Sequence, residues 1–281
     1  MIVRRRLIAL GVLLTALVLL FFAVAGLPGG GKKKAPPNPL ALVKPLHIVF
    51  PEGFTRKDMA KRITAVNKIA KEKRGKQPLL SQPEYLRLTT NPRLVPRGFR
   101  PAHRLEGFLF PATYEFTLRT PTRRLIALQL QAFRRNWAQV NLGYTRSRKL
   151  TPYDVLTIAS MVEKETLAPD ERRKVARVIY NRLHDGMTLG IDATIRYGLD
   201  VPGTEPLKQS DLDSNSPYNT RNHTGLTPTP IANPGLASIQ AAAHPANGCW
   251  LYFVRKPDKV HHFFACNERD FINYKNAHGY K

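Results

Sequence analysis

The clearest periodicity in the chain lies between residues 151 and 169. Val155, Ile158, Ala159 and Val162 recur at helical spacing. Thr151 is a good N-cap, Pro152 suits the first turn, and Asp154 sits three residues after the cap. The pattern predicts a helix that carries Glu163, Lys164 and Glu165 near its end and stops before Pro169. A second helix is expected over 170–184, with Val175, Val178, Ile179 and Leu183 inward and Gly186 as terminator. Another is expected over about 122–137. Upstream, residues 46–50 read as a strand, Pro51-Glu52-Gly53 as a turn, and Thr55 as the cap of a helix through Met59, Ile63 and Val66. Residues 105–116 are aromatic and β-prone but broken by Gly and Pro. After Asp192 the chain reads as loop-rich until two short apolar stretches, 250–254 and 261–265.

The N-terminus has a different pattern. Residues 7–27 are apolar and uncharged behind Arg4, Arg5 and Arg6. Roughly 20 such residues span a bilayer as one helix, and the leading arginines favour a cytoplasmic N-terminus. Lys32, Lys33 and Lys34 on the far side weaken that count. Ala23-Val24-Ala25 would suit a signal-peptide cleavage site, but the run is long for a signal core, which favours an uncleaved anchor. Either reading exports everything after about residue 35. The expected organisation is a cytoplasmic segment 1–6, a transmembrane helix 7–27 and a Gly/Lys/Pro-rich linker 28–44. A small module with its connecting segment follows over 45–118, and a catalytic domain over 119–281. The fold class is α+β.

Composition then limits the partners. Lys and Arg total 44 against 20 Asp and Glu, a formal charge of +24. Such an excess faces something acidic: nucleic acid, anionic lipid or an acidic polymer. The basic residues are scattered without a nucleic-acid motif, and export argues against nucleic acid as the working partner.

Cys249 and Cys266 bracket Lys256-Pro257-Asp258-Lys259, a type I turn sequence. A hairpin centred on Pro257 and Asp258 pairs residues whose numbers sum to 515, which sets the two cysteines opposite each other. A disulfide is the expectation, and an oxidising compartment permits it.

Among candidate chemical groups, Glu163 and Glu165 are about 200° apart around a helix, so one pocket cannot receive both. The helical wheel does not choose between them. A carboxyl group at the rim of an apolar stripe is partly desolvated, which raises its pKa towards general-acid range. Residues 214–220 offer neutral hydrogen-bonding groups and the Tyr218 ring, which suit a sugar. His244, His261 and His262 lack metal-ligand spacing, so no metal is expected, and no Gly-x-Ser-x-Gly elbow occurs.

Six stretches in order resemble the YceG-like endolytic murein transglycosylases (MltG family). They are LEGFLFPATYEF (105–116), ASMVEKET (159–166), VIYNRLHDGMTLGIDATIRYGL (178–199), SPYNT (216–220), GLTPTPIANPG (225–235) and AAAHPA (241–246). The resemblance covers most of the chain from about residue 45. It implies that the first Glu of the VEKET stretch, Glu163, is the catalytic acid/base. It implies a LysM-like module where Pro51-Glu52-Gly53 and its helix stand, and a single-pass inner-membrane anchor with the catalytic domain on the periplasmic side. It further implies cleavage of nascent peptidoglycan strands between N-acetylmuramic acid and N-acetylglucosamine, leaving 1,6-anhydro ends and terminating elongation without a cofactor. Peptidoglycan synthases become candidate protein partners. Tyr218, Asn219 and Thr220 become candidates for saccharide contact, with Glu106 behind them, while Asp192 and His244 read as structural. Ala112 stands where the family usually has Asp.

Overall fold

The computed structural model describes residues 45–280. The expected cytoplasmic segment, membrane helix and linker lie outside the described residues. Among the described residues no helix is long and apolar enough to cross a membrane. Mixed α+β architecture is what the structure shows, with two separate two-stranded sheets among the helices.

The first elements are β1 (Leu46–Val49), α1 (Arg56–Arg74), α2 (Gln82–Thr89) and β2 (Thr113–Phe116). β1 and β2 pair antiparallel, with Leu46 opposite Phe116 and Val49 opposite Thr113. α1 starts at a reciprocal cap. Thr55 Oγ1 accepts the Asp58 N–H and the Asp58 carboxylate accepts the Thr55 N–H. It stops at Gly75, whose left-handed φ of 65° lets its N–H reach the Lys71 carbonyl. Of the aromatic stretch 105–116, only the end becomes strand. Gly107 at φ 90° turns the chain so that Phe108 enters the core, edge-on to Phe99 and Phe133 at 5.0 and 5.1 Å.

Then follow α3 (Thr122–Trp137), α4 (Gly143–Ser147) and α5 (Pro152–Glu165). Thr151 and Asp154 cap α5 in the same reciprocal way as Thr55 and Asp58 cap α1. The expected one-sided stripe proves too narrow, because Tyr153 and every residue over 155–162 are buried. A helix apolar all round must be enclosed. Tyr153 and Leu156 join the first core, around Ile48, Phe50, Ile63, Phe108 and Phe133. Val155, Ile158, Met161 and Val162 join the second, with partners from the helices that follow. Each fully buried aliphatic side chain contributes on the order of 2 kcal/mol. α5 therefore fixes both cores, and its last turn is rigidly placed.

After a 3₁₀ turn (Pro169–Glu171) comes α6 (Arg172–His184). The stretch read as loop-rich contains three short helices: α7 (Asp192–Leu199), α8 (Gln209–Leu212) and α9 (Leu236–Ala243). α9 buries Ile239 and Ala241 to Ala243, and these small side chains let it lie close against α5. Ser160 Oγ of α5 accepts the Ile231 N–H at 2.9 Å.

β3 (Tyr252–Arg255), β4 (His262–Ala265) and α10 (Glu268–Ala277) end the chain. The hairpin register differs from expectation. Tyr252 faces Ala265 and Arg255 faces His262, pairs that sum to 517. The turn at Pro257 and Asp258 does form, with the Lys259 N–H reaching the Lys256 carbonyl at 2.9 Å. Lys259 then takes a left-handed φ of 59°, and the Asp258 carboxylate accepts the Val260 and His261 N–H groups. That lengthens the loop by two residues. A two-residue shift leaves every side chain on its original face, and Cys249 is bonded to Cys266 with Cα atoms 5.1 Å apart.

Candidate active site

The last turn of α5 sends two carboxyl groups in opposite directions. Glu163 is half-buried, and its Oε2 accepts the N–H of Gly235, the residue that starts α9, at 3.0 Å. Glu52, from the turn after β1, reaches the same glycine: a Cβ on Gly235 would lie 1.8 Å from Glu52 Oε1. Burial of that carboxyl end, and then the Glu163 charge, raise the Glu52 pKa, while Arg172 opposes the rise. Beside them Lys164 Nζ donates to the Gly53 carbonyl at 3.4 Å. This side of the helix end is a seam, and Glu163 is engaged in holding it.

Glu165 faces elsewhere. Among the described residues no hydrogen bond reaches its carboxyl oxygens. Burial, and then the charge of Asp192, push its pKa up to about 7, against Arg255 and Lys164. Arg255 of β3 is fixed by donating from Nη2 to the Glu165 carbonyl at 3.2 Å. Asp192, in the first turn of α7, is gripped by Arg221 through Nε at 3.0 Å and Nη2 at 2.7 Å. At pH 7 a carboxyl of pKa 4.5 is protonated in roughly 0.3% of molecules, and one of pKa 7 in about half. Glu165 is thus partly protonated at neutral pH, and its carboxyl oxygens are left free of protein hydrogen bonds among the described residues.

The other expected site residues lie further in. Asn219 is fully buried. Its Nδ2 donates to the carbonyls of Leu212 and Ser214, both at 2.8 Å, and its Oδ1 accepts the Arg221 N–H. Thr220 is also buried, and its hydroxyl accepts the Ile191 N–H at 3.0 Å and meets the Thr194 hydroxyl at 2.9 Å. Both of these expected saccharide-contact residues spend their polar groups within the protein, where they shape the loop that presents Arg221 to Asp192. Tyr218 is half-buried, with its hydroxyl 2.9 Å from Thr229 Oγ1 and its ring 5.2 Å from that of Tyr197. Glu106, the further candidate for saccharide contact, also has its partners within the protein. It is buried and accepts from the Arg56 N–H, Asn233 Nδ2 and the Tyr197 hydroxyl at 2.9, 2.9 and 3.0 Å. Burial pushes its pKa up to about 7, with the Arg56 N–H and the Tyr197 hydroxyl opposing. His244 follows α9, and its carbonyl accepts from Arg173 Nε at 2.8 Å. Among the described residues no cluster of His, Cys, Asp and Glu could hold a metal ion.

Asp192 and Arg255 act on Glu165 from two separate segments, and Arg221, from a third, holds Asp192. No spacing in the sequence announces them; only the tertiary fold does.

A model of the YceG-like family matches residues 34–277. The chain is 38% identical over 154 residues to a Bacillus subtilis (strain 168) protein named endolytic murein transglycosylase, covering 55% of this chain and 42% of that one. It is 31% identical over 240 residues to a Streptococcus pneumoniae (strain ATCC BAA-255 / R6) protein of the same name, covering 79% and 43%. The chain thus spans less than half the length of these relatives. The fold matches the crystal structure of a yceG-like protein from Listeria monocytogenes with a TM-score of 0.68 at 29% identity, over 83% of this chain and 77% of that one.

Proposed function

The chain belongs to the YceG-like family, and from that premise we propose that it is an endolytic murein transglycosylase whose acid/base is Glu165. The relatives named for that activity support the reaction. The free, proton-holding carboxyl of Glu165 supports the residue, whereas Glu163 is occupied by the Gly235 N–H.

In this reaction Glu165 in its acid form gives its proton to the oxygen linking muramic C1 to the next N-acetylglucosamine. The C1–O bond breaks and the glucosamine leaves as the free alcohol. The carboxylate then removes the proton from the muramic C6 hydroxyl, and that oxygen attacks C1 to close a 1,6-anhydro ring. Glu165 ends protonated, no water is consumed, and one carboxyl group suffices where hydrolytic glycosidases use two. The Arg255 charge steadies the transient carboxylate, and Asp192 favours its reprotonation.

The wider reading follows the sequence. Residues 7–27 anchor the chain in the inner membrane, the catalytic part lies on the outer side, and nascent strands are cut to end elongation, with peptidoglycan synthases as neighbours. A LysM-like module is supported by the order β1–α1–α2–β2 with β1 and β2 paired.

The test is digestion of nascent glycan strands by the full chain, with the ends read by mass spectrometry. Anhydromuramic ends from wild type, and none from Glu165→Gln, are expected. Reducing ends would make the enzyme a hydrolase, and no new ends at all would make the protein a glycan binder without activity.

A further inference from the structure

We infer that the solvent face of α1, with the loop that follows it, is a docking surface for anionic phospholipid headgroups. Lys57, Lys61, Thr64, Lys68 and Lys71 recur at alternating intervals of four and three, so they form one stripe along the helix. All five are exposed, while Met59, Ile63 and Asn67 point inward. Lys57 pairs with Asp200 at 2.9 Å. Lys61, Lys68 and Lys71 have no ion pair among the described residues. Lys73 in the last turn and Lys76 past the helix end add to the charge, and Glu72 stands between Lys71 and Lys73.

Two further observations point to lipid. Leu79, on the loop beside this basic stripe, is a large apolar side chain 61% exposed. Between α1 and the loop lies a groove of about 590 Å³, lined among others by Thr64, Asn67, Lys68, Lys71, Leu79 and Gln82. Asn67 is 7% exposed; its Nδ2 donates to the Leu80 carbonyl at 2.6 Å, and its buried Oδ1 has no donor. A phosphoglycerol headgroup supplies what is missing: a phosphate for the lysines, a hydroxyl donor for Asn67 Oδ1, and acyl chains below for Leu79.

The occupant also follows from the chain. This inference rests on the reading of 7–27 as a membrane anchor. Residues 28–44 number 17 (44 − 27), so the basic face belongs to the first folded segment in sequence after the expected anchor. Anionic headgroups are the acidic partner that such a basic face meets beside a membrane anchor.

The experiment places the full chain in nanodiscs of phosphatidylcholine alone or with phosphatidylglycerol, and follows acetylation of individual lysines by mass spectrometry. Lys61, Lys68 and Lys71 should react several-fold more slowly in the anionic discs, with the protection lost in 0.5 M salt, while Lys174 is unchanged. Lys68→Glu/Lys71→Glu should abolish the protection of Lys61. Equal labelling in both discs would overturn the inference, as would protection by a soluble anionic glycerol-phosphate polymer but not by the discs. Failure of the chain to enter discs would instead refute the anchor. In that case sedimentation with phosphatidylglycerol vesicles decides: charge-dependent binding lost in Lys68→Glu/Lys71→Glu upholds the surface, and no binding rejects it.

Discussion

Glu165→Gln replaces a titrating carboxyl by a neutral group of the same shape, and its effect on stability should depend on pH in one direction only. The folded pKa lies at about 7 against an ordinary 4.5. The difference, 7 − 4.5 = 2.5 units, at 1.36 kcal/mol per unit, sets a ceiling of about 3 kcal/mol. Glu165 is only half-buried, and solvent screening reduces the expected effect to about 1–2 kcal/mol. The pKa is raised on folding, so this stabilising contribution is complete below pH 4.5 and is lost as pH rises through about 7. The variant should therefore match wild type near pH 4.5 and exceed it by about 1–2 kcal/mol at pH 8. Urea unfolding of both proteins at pH 4.5, 6, 7 and 8 measures this. Glu106 also has a raised pKa but is present in both proteins, so it cancels in the difference. A stability difference that stays flat across this range would refute the desolvated Glu165, and so would a variant weaker than wild type at pH 8.

The same carboxyl must be protonated to act, so kcat/KM for strand cleavage should fall as pH rises through about 7, as initial rates across a pH series would show. Reducing the Cys249–Cys266 bond, which closes a 17-residue separation, should cost about 3 kcal/mol, seen as a lower Tm in reductant that Cys249→Ala/Cys266→Ala reproduces without it. Gly107→Ala meets both a positive φ and a proline ring, since its Cβ would lie 2.7 Å from Pro230 Cγ. A loss of roughly 2–4 kcal/mol in urea unfolding is expected.

The parts of the fold written in local chemistry were legible. Thr55 with Asp58 and Thr151 with Asp154 announce two helix starts because a cap needs only residues three apart. α7 and α9 begin after Ile191 and Gly235, neither of which caps through a side chain, so nothing local marked them and their stretch read as loop. The β1–β2 pairing joins residues 70 positions apart (116 − 46), beyond any local signal. In the hairpin, composition located the turn, but the Asp258 carboxylate added two residues to the loop. At the site, helix geometry separated Glu163 from Glu165 without ranking them. The proposal of Glu165 rests on the different packing around each: Gly235 and Glu52 on one side, Asp192 and Arg255 on the other. Asn219, Thr220 and Glu106 are polar types that suit sugar binding, and their burial with internal hydrogen bonds was not legible in the sequence.

The central claim rests on which glutamate moves the proton. The most direct measurement is the initial rate of 1,6-anhydromuramic end formation by Glu165→Gln and Glu163→Gln, assayed side by side on the same nascent strands. Loss of an acid/base group typically costs 10²–10⁴-fold. Glu165→Gln is expected to lose roughly that much, and Glu163→Gln to stay within about tenfold of wild type. An active Glu165→Gln beside an inactive Glu163→Gln would contradict the assignment.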